Sequence, residues 1–143
     1  MKRTIIALAA VVVLTAGIAV ATPSRGFTTK LLGSATFDSL SIQESEPSTA
    51  LFVRVHQEVG GTSGWHSHPA DVFVLVKKGR VAVNEEGHCT PTVYTAGDVF
   101  HETPGHMLKV INIGDDEVVN IVTFVGLPPG AAPTTDEANP CLS

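Results

Sequence analysis

An all-β domain, a sandwich or barrel, is the fold this sequence predicts, on three observations. No long stretch carries helical periodicity. The apolar segments are short and rich in Val, Ile, Phe and Thr, and turn residues separate them at near-regular spacing.

The chain starts "MKRTIIALAAVVVLTAGIAVATPSRG". Lys2 and Arg3 precede an unbroken apolar run at 5–14, and Ala19-Val20-Ala21 is an A-x-A sequence. That order predicts a secretory signal peptide over 1–21, cut after Ala21. An uncleaved anchor is the alternative, since residues 5–21 approach the minimum length for a spanning helix. Small residues before the cut and no basic residue directly after it favour cleavage, and no Cys stands there to carry a lipid. The expected product is extracytoplasmic, with a domain over 22–127 and an extended arm over 128–143.

Within that product, residues 43–49, "QESEPST", read as a loop. Residues 51–59 alternate, with Leu51, Val53, Val55 and Val59 sharing one parity. Residues 72–76 are continuously apolar, and "KKGR" turns the chain into 81–83. "EEGHCTP" reads as a loop before a short strand beginning at Val93 and Tyr94. "AGD" leads into 99–102, "TPG" breaks the chain before 107–113, and "GDDE" precedes 118–125, the clearest buried strand. The tail from Pro128, rich in Pro, Ala and Thr, predicts little regular structure.

Charge narrows the partners. The chain carries a formal charge of −5, and loss of Lys2 and Arg3 makes it two units more negative. An acidic chain without a basic patch argues against nucleic acid or an anionic membrane surface as partner. Cys89 and Cys141 are the only cysteines, and an even count in an exported protein predicts one disulfide. Closing that loop contributes about 4 kcal/mol in the chain-entropy model.

The chemistry concentrates in "GWHSHPADVFVLVKKG", residues 64–79. Side chains alternate along a strand, so His66 and His68 point one way while Trp65 and Ser67 point the other. Two parallel imidazoles are well placed to grip one metal ion, though an H-x-H pair also occurs as two partly exposed histidines near a loop.

Here the chain resembles the cupin family. The family's first motif is Gly, five residues, H-x-H, three or four residues, Glu, six residues, Gly. This chain has Gly60, "GTSGW", His66-Ser67-His68 and, ten residues on, Gly79, with Val72 in the Glu slot. The second motif is Gly, five residues, P-x-G, two residues, His, three residues, Asn. Its spacing is kept by Gly97, "DVFHE", Thr103-Pro104-Gly105, "HM", Leu108 in the His slot, "KVI" and Asn112. The resemblance covers most of residues 30–125 and is nearest to small exported bacterial cupins. It implies a jelly-roll β-barrel, often dimeric, enclosing a pocket for a small-molecule ligand.

Of the four ligand slots in that pattern, His66 and His68 are filled, whereas Val72 and Leu108 cannot bind a metal. Two neighbours offer replacements. His106 is two positions before Leu108, so on a continuous strand both face inward, about 6 to 7 Å apart along the axis. Glu102 shares parity with Phe100, and an inward carboxylate is costly unless paired or metal-bound. Together His66, His68, Glu102 and His106 make a set for a divalent transition metal, Zn, Mn, Fe, Ni or Cu. Alternatively, Glu102 and His106 pair at the rim or reach solvent.

Asp71 is a candidate to orient a ligating imidazole, or else a strand cap. His101, of opposite parity to Glu102, is expected to face out; His88 and His56 belong to no motif, and Trp65 is read as packing on the opposite face. No phosphate loop, G-x-S-x-G or reactive Cys–His arrangement is present. Three functions stay open: a module binding a metal or small ligand, a metal-dependent oxygenase or isomerase, and a structural or partner-binding domain with remnant histidines.

Overall fold

In the computed structural model, residues 30–42 and 46–141 are described, and the expected signal peptide lies outside them. The described residues form nine strands and no helix: β1 (Thr49–Gln57), β2 (His66–Ser67), β3 (Asp71–Lys78), β4 (Arg80–Glu85), β5 (His88–Thr95), β6 (Val99–Glu102), β7 (Leu108–Asn112), β8 (Val118–Leu127) and β9 (Thr135–Asp136). No helix among them is long and apolar enough to cross a membrane. Two antiparallel sheets, ordered β1-β8-β3-β6 and β5-β4-β7-β2-β9, face each other as a jelly roll.

Alternation puts one face of each strand inside. Val72, Val74 and Val76 of β3 meet Val81 and Val83 of β4 in the core, with Phe100, Val110 and Phe124 completing it. Val72, Val76, Val81 and Val118 are fully buried, each stabilising the fold by about 1.5–2 kcal/mol relative to exposure. The chain crosses between sheets at Gly79, whose φ is 88°. A Cβ there would meet Val118 Cγ2 at 2.6 Å, so both the left-handed backbone and the close approach require glycine.

The structure departs from expectation at "EEGHCTP". Glu86-Gly87 is a tight turn, and the polar residues after it are already strand: β5 starts at His88 and pairs with β4. Being an edge strand, β5 needs no apolar outer face, and the irregularity between Val83 and Glu85 accommodates Pro91. The expected Cys89–Cys141 disulfide is present. The C-terminal arm is not wholly irregular. Its β9 adds to the edge of the second sheet by pairing with β2.

Candidate metal centre

β2 is short because it is an anchor between two neighbours. His66 pairs with Leu108 of β7 on one side and Asp136 of β9 on the other. The alternation expected there holds. Ser67 Oγ donates to Glu137 Oε1 at 2.7 Å, and Trp65 packs beneath Lys109, whose Nζ is 5.3 Å from the ring centroid. His66 and His68 turn to the other side and line a cavity of about 210 Å³ between the sheets. Both are almost fully buried, with ring centroids 4.7 Å apart.

Each imidazole is oriented by a backbone carbonyl. His66 Nδ1 donates to Gly64 O at 3.1 Å, and His68 Nδ1 donates to Pro133 O at 2.6 Å. Placing the proton on Nδ1 leaves Nε2 of each ring as the free donor atom, the tautomer a metal ligand needs. An edge contact with Phe124, at a centroid distance of 5.2 Å, fixes the second ring further.

The carboxylate arrives from a neighbouring strand. Val72 of β3 stands directly opposite Glu102 of β6, and both are buried. Glu102 therefore enters the barrel beside the position where the cupin pattern has its own Glu. Its Oε2 is 2.9 Å from His68 Nε2. Burial works to lower the pKa of His68, but the hydrogen bonds to Glu102 and Pro133 and the Glu102 charge outweigh it, and the net direction is upward.

Ligand atoms of His66, His68 and Glu102 all lie within 4.8 Å of one another. Atoms sharing an ion at 2.0–2.2 Å stand at most about 4.4 Å apart, so a small side-chain adjustment suffices. Two imidazoles and a carboxylate, with open positions for water or ligand, suit a divalent transition ion. Walls of Val74, Phe100, Val110 and Val122 keep the cavity largely apolar.

His106 does not join them. It is exposed and follows the Thr103-Pro104-Gly105 turn, where Gly105 N donates to His68 O and His106 N to Thr103 O. The turn ends β6 before β7 begins, so strand parity does not carry from Leu108 back to His106. Asp71 also orients neither ligand; its Oδ1 is 2.6 Å from His101 Nε2. His101 does face the outer side of the sheet, yet it is covered rather than free, stacked on Phe73 and edged by Phe37. His56 pairs with Glu117 at the exposed surface, and His88 is exposed on β5.

Four residues of the site were not singled out from the sequence: Pro133, Thr134, Gln57 and Asn120. Pro133 and Thr134 carried no signal, being part of an arm with no readable pairing. Gln57 and Asn120 did carry one. Gln57 continues the parity of Leu51, Val53 and Val55, and Asn120 interrupts the apolar run of β8.

No curated protein sequence matches the chain. Among solved structures it is similar to an oxalate oxidase in complex with the substrate analogue glycolate, at 29% identity and a TM-score of 0.53, covering 60% of this chain and 45% of that one. The chain thus spans less than half the length of that enzyme. A cupin-like protein from Thermotoga maritima is similar at 24% identity and TM-score 0.54, covering 62% of this chain and 64% of that one. A DMSP lyase from Ruegeria pomeroyi is similar at 19% identity and TM-score 0.54, covering 63% and 44%. At those two identities the likeness speaks for the fold alone. The cupin domain model matches residues 53–132, which hold His66, His68, Glu102 and the two glycines of the first motif, Gly60 and Gly79. By that match and by its jelly roll, the chain belongs to the cupin family.

Proposed function

We propose that this is an exported cupin that holds one divalent transition metal through His66, His68 and Glu102 and binds a small organic ligand in the adjoining cavity. The observation that carries the reading is the shared ring orientation: both rings commit Nδ1 to a backbone carbonyl, which turns Nε2 to the cavity side, and His68 Nε2 lies 2.9 Å from the buried carboxylate of Glu102. His106, exposed in its turn, is left out of the ligand set. A bound ion supplies positive charge and Lewis acidity to a ligand oxygen. The chain's own residues do the rest: Gly64 and Pro133 hold the rings in register, and Phe100 and Phe124 exclude water. The Cys89–Cys141 disulfide supports an oxidising, extracytoplasmic setting.

A second reading makes the same centre catalytic, as a metal-dependent oxygenase or isomerase. Three protein ligands leave positions for both a substrate and a co-reactant, and the similarity to an oxalate oxidase favours this reading.

Elemental analysis of untagged protein tests the metal. One ion per chain is expected, lost in a His66→Ala, His68→Ala variant. Folded protein that contains no metal and is unchanged by added Zn, Mn, Fe, Ni or Cu would overturn both readings. Oxygen uptake by the loaded form with small organic acids separates enzyme from binder.

A further inference from the structure

Charge in the cavity is confined to one end. Glu102 is the only acidic residue among those lining it, and neither Lys nor Arg is among them. Glu102, Val72 and Phe124 are level with one another across β6, β3 and β8. One inward-facing step along, roughly 7 Å at strand spacing, Val74 stands opposite Phe100 on one side and Val122 on the other. With Val110 from the facing sheet, these side chains form a hydrocarbon-lined chamber beside the charged end. A further step along, Asn120 of β8 closes the chamber with an uncharged amide. Other neutral polar groups there are committed to the protein. Ser63 Oγ donates to Gly64 O and accepts from Val110 N, and Gln57 Nε2 donates to Val110 O. Gln57 Oε1 is shut off from the cavity.

That lining sets both the charge and the size of a ligand. A divalent ion held by two neutral imidazoles and one carboxylate leaves a single positive charge in excess, and one monoanion balances it. A second negative charge would stand in the apolar chamber with no cation to receive it, which is costly. A cavity of about 150 Å³ lined by Leu, Ile and Phe takes benzene, so about 210 Å³ holds a carboxylate head with a tail of roughly four to six carbons.

We infer that the ligand is a short-chain monocarboxylate, its carboxylate at the ion and its hydrocarbon tail against Val74, Phe100 and Val122. The head rests on the reading of His66, His68 and Glu102 as metal ligands; the tail rests on the chamber. Dicarboxylates are excluded on charge.

The test uses the full chain loaded with Zn, its zinc content measured first, and calorimetric titration with acetate, butanoate, pentanoate, octanoate and pentanedioate. Affinity should rise about three- to fourfold per added methylene from acetate to pentanoate. Octanoate, whose tail overruns the chamber, should gain nothing further. Pentanedioate, as long as pentanoate but doubly charged, should bind about tenfold more weakly. Methyl NMR signals of Val74 and Val122 should move with pentanoate and stay still with acetate. Val122→Phe, which fills the chamber, should cut pentanoate affinity about tenfold. The titrations and methyl signals use the unsubstituted protein, so a variant that fails to fold leaves the test intact. Affinity that is flat from acetate onward or still climbing at octanoate, tightest binding of pentanedioate, or methyl signals unmoved by pentanoate would overturn the inference. Each of those results in a protein carrying one zinc per chain leaves the metal reading standing. A chain that takes up no zinc overturns both.

Discussion

Nε2 of His68 stands 2.9 Å from Oε2 of Glu102, and each side chain is within a few per cent of full burial. With Nδ1 already committed to Pro133, the ring meets an oxygen at both nitrogens. Without a metal, that arrangement favours the imidazolium; with one, the ion takes the place of the second proton.

The pH dependence of stability follows. His68 is raised above its ordinary 6.5. A raised folded-state pKa contributes stability fully below the unfolded value and loses it as pH rises through the folded value. Chelator-treated protein should therefore weaken as pH climbs from about 6.5 upward. Metal-loaded protein should show the opposite trend in affinity, because the ion needs the neutral ring. Urea melts across this range with and without chelator check both signs, and Glu102→Gln should flatten the metal-free dependence. A metal-free protein that gains stability over the same interval would contradict the assignment of His68.

The disulfide should matter to the metal site as well as to the fold. Cys141 tethers the arm that supplies Pro133 O to His68, the β9 pairing to β2 and Glu137 to Ser67. A Cys89→Ser, Cys141→Ser variant should lose about 4 kcal/mol of stability by loop entropy for a separation of 52 residues. Its metal affinity should fall by at least tenfold, in line with lost outer-shell support. Competition against a chromophoric chelator reads the second effect. Unchanged affinity in the folded variant would show that the arm stays seated without its tether.

Asn112 predicts a purely structural loss. Buried at 2% exposure, its Nδ2 lies within 3.1 Å of the carbonyls of Gln57, Glu58 and Asp116, and its Oδ1 accepts from Gly114 N. Asn112→Leu leaves several buried backbone groups unpaired and should cost about 3 kcal/mol. A lower urea midpoint at unchanged slope is the expected signature. Metal stoichiometry should stay the same, since Asn112 is not among the cavity-lining residues.

Filling a missing family slot should strengthen the centre. Leu108 is directly across from His66 and 2% exposed. Leu108→His places a third imidazole beside the first and should raise Zn affinity at least tenfold, measured by the same competition.

Much of this molecule was legible in its linear order. Period-two alternation placed β1, and apolar runs placed β3 and β8, because one buried face imposes a pattern of side chains that needs no knowledge of neighbours. The same alternation oriented His66 and His68 together, and the cysteine count anticipated the disulfide. Parity failed where the chain stopped being a strand. His106 was assigned inward by counting back from Leu108, and the Thr103-Pro104-Gly105 turn between β6 and β7 cancelled that count. β5 was underestimated because an edge strand has no apolar obligation on its open side.

The sequence by itself determined the all-β class, the shared parity of His66 with His68 and that of Glu102 with Phe100, since alternation along a strand needs no knowledge of its neighbours. Only the tertiary structure decided which groups meet: Glu102 beside His68, Pro133 behind its ring, Gln57 diagonal to Asn120. Those meetings depend on register between strands distant in the chain, and register is set by the packing of the whole barrel rather than by any local run of residues.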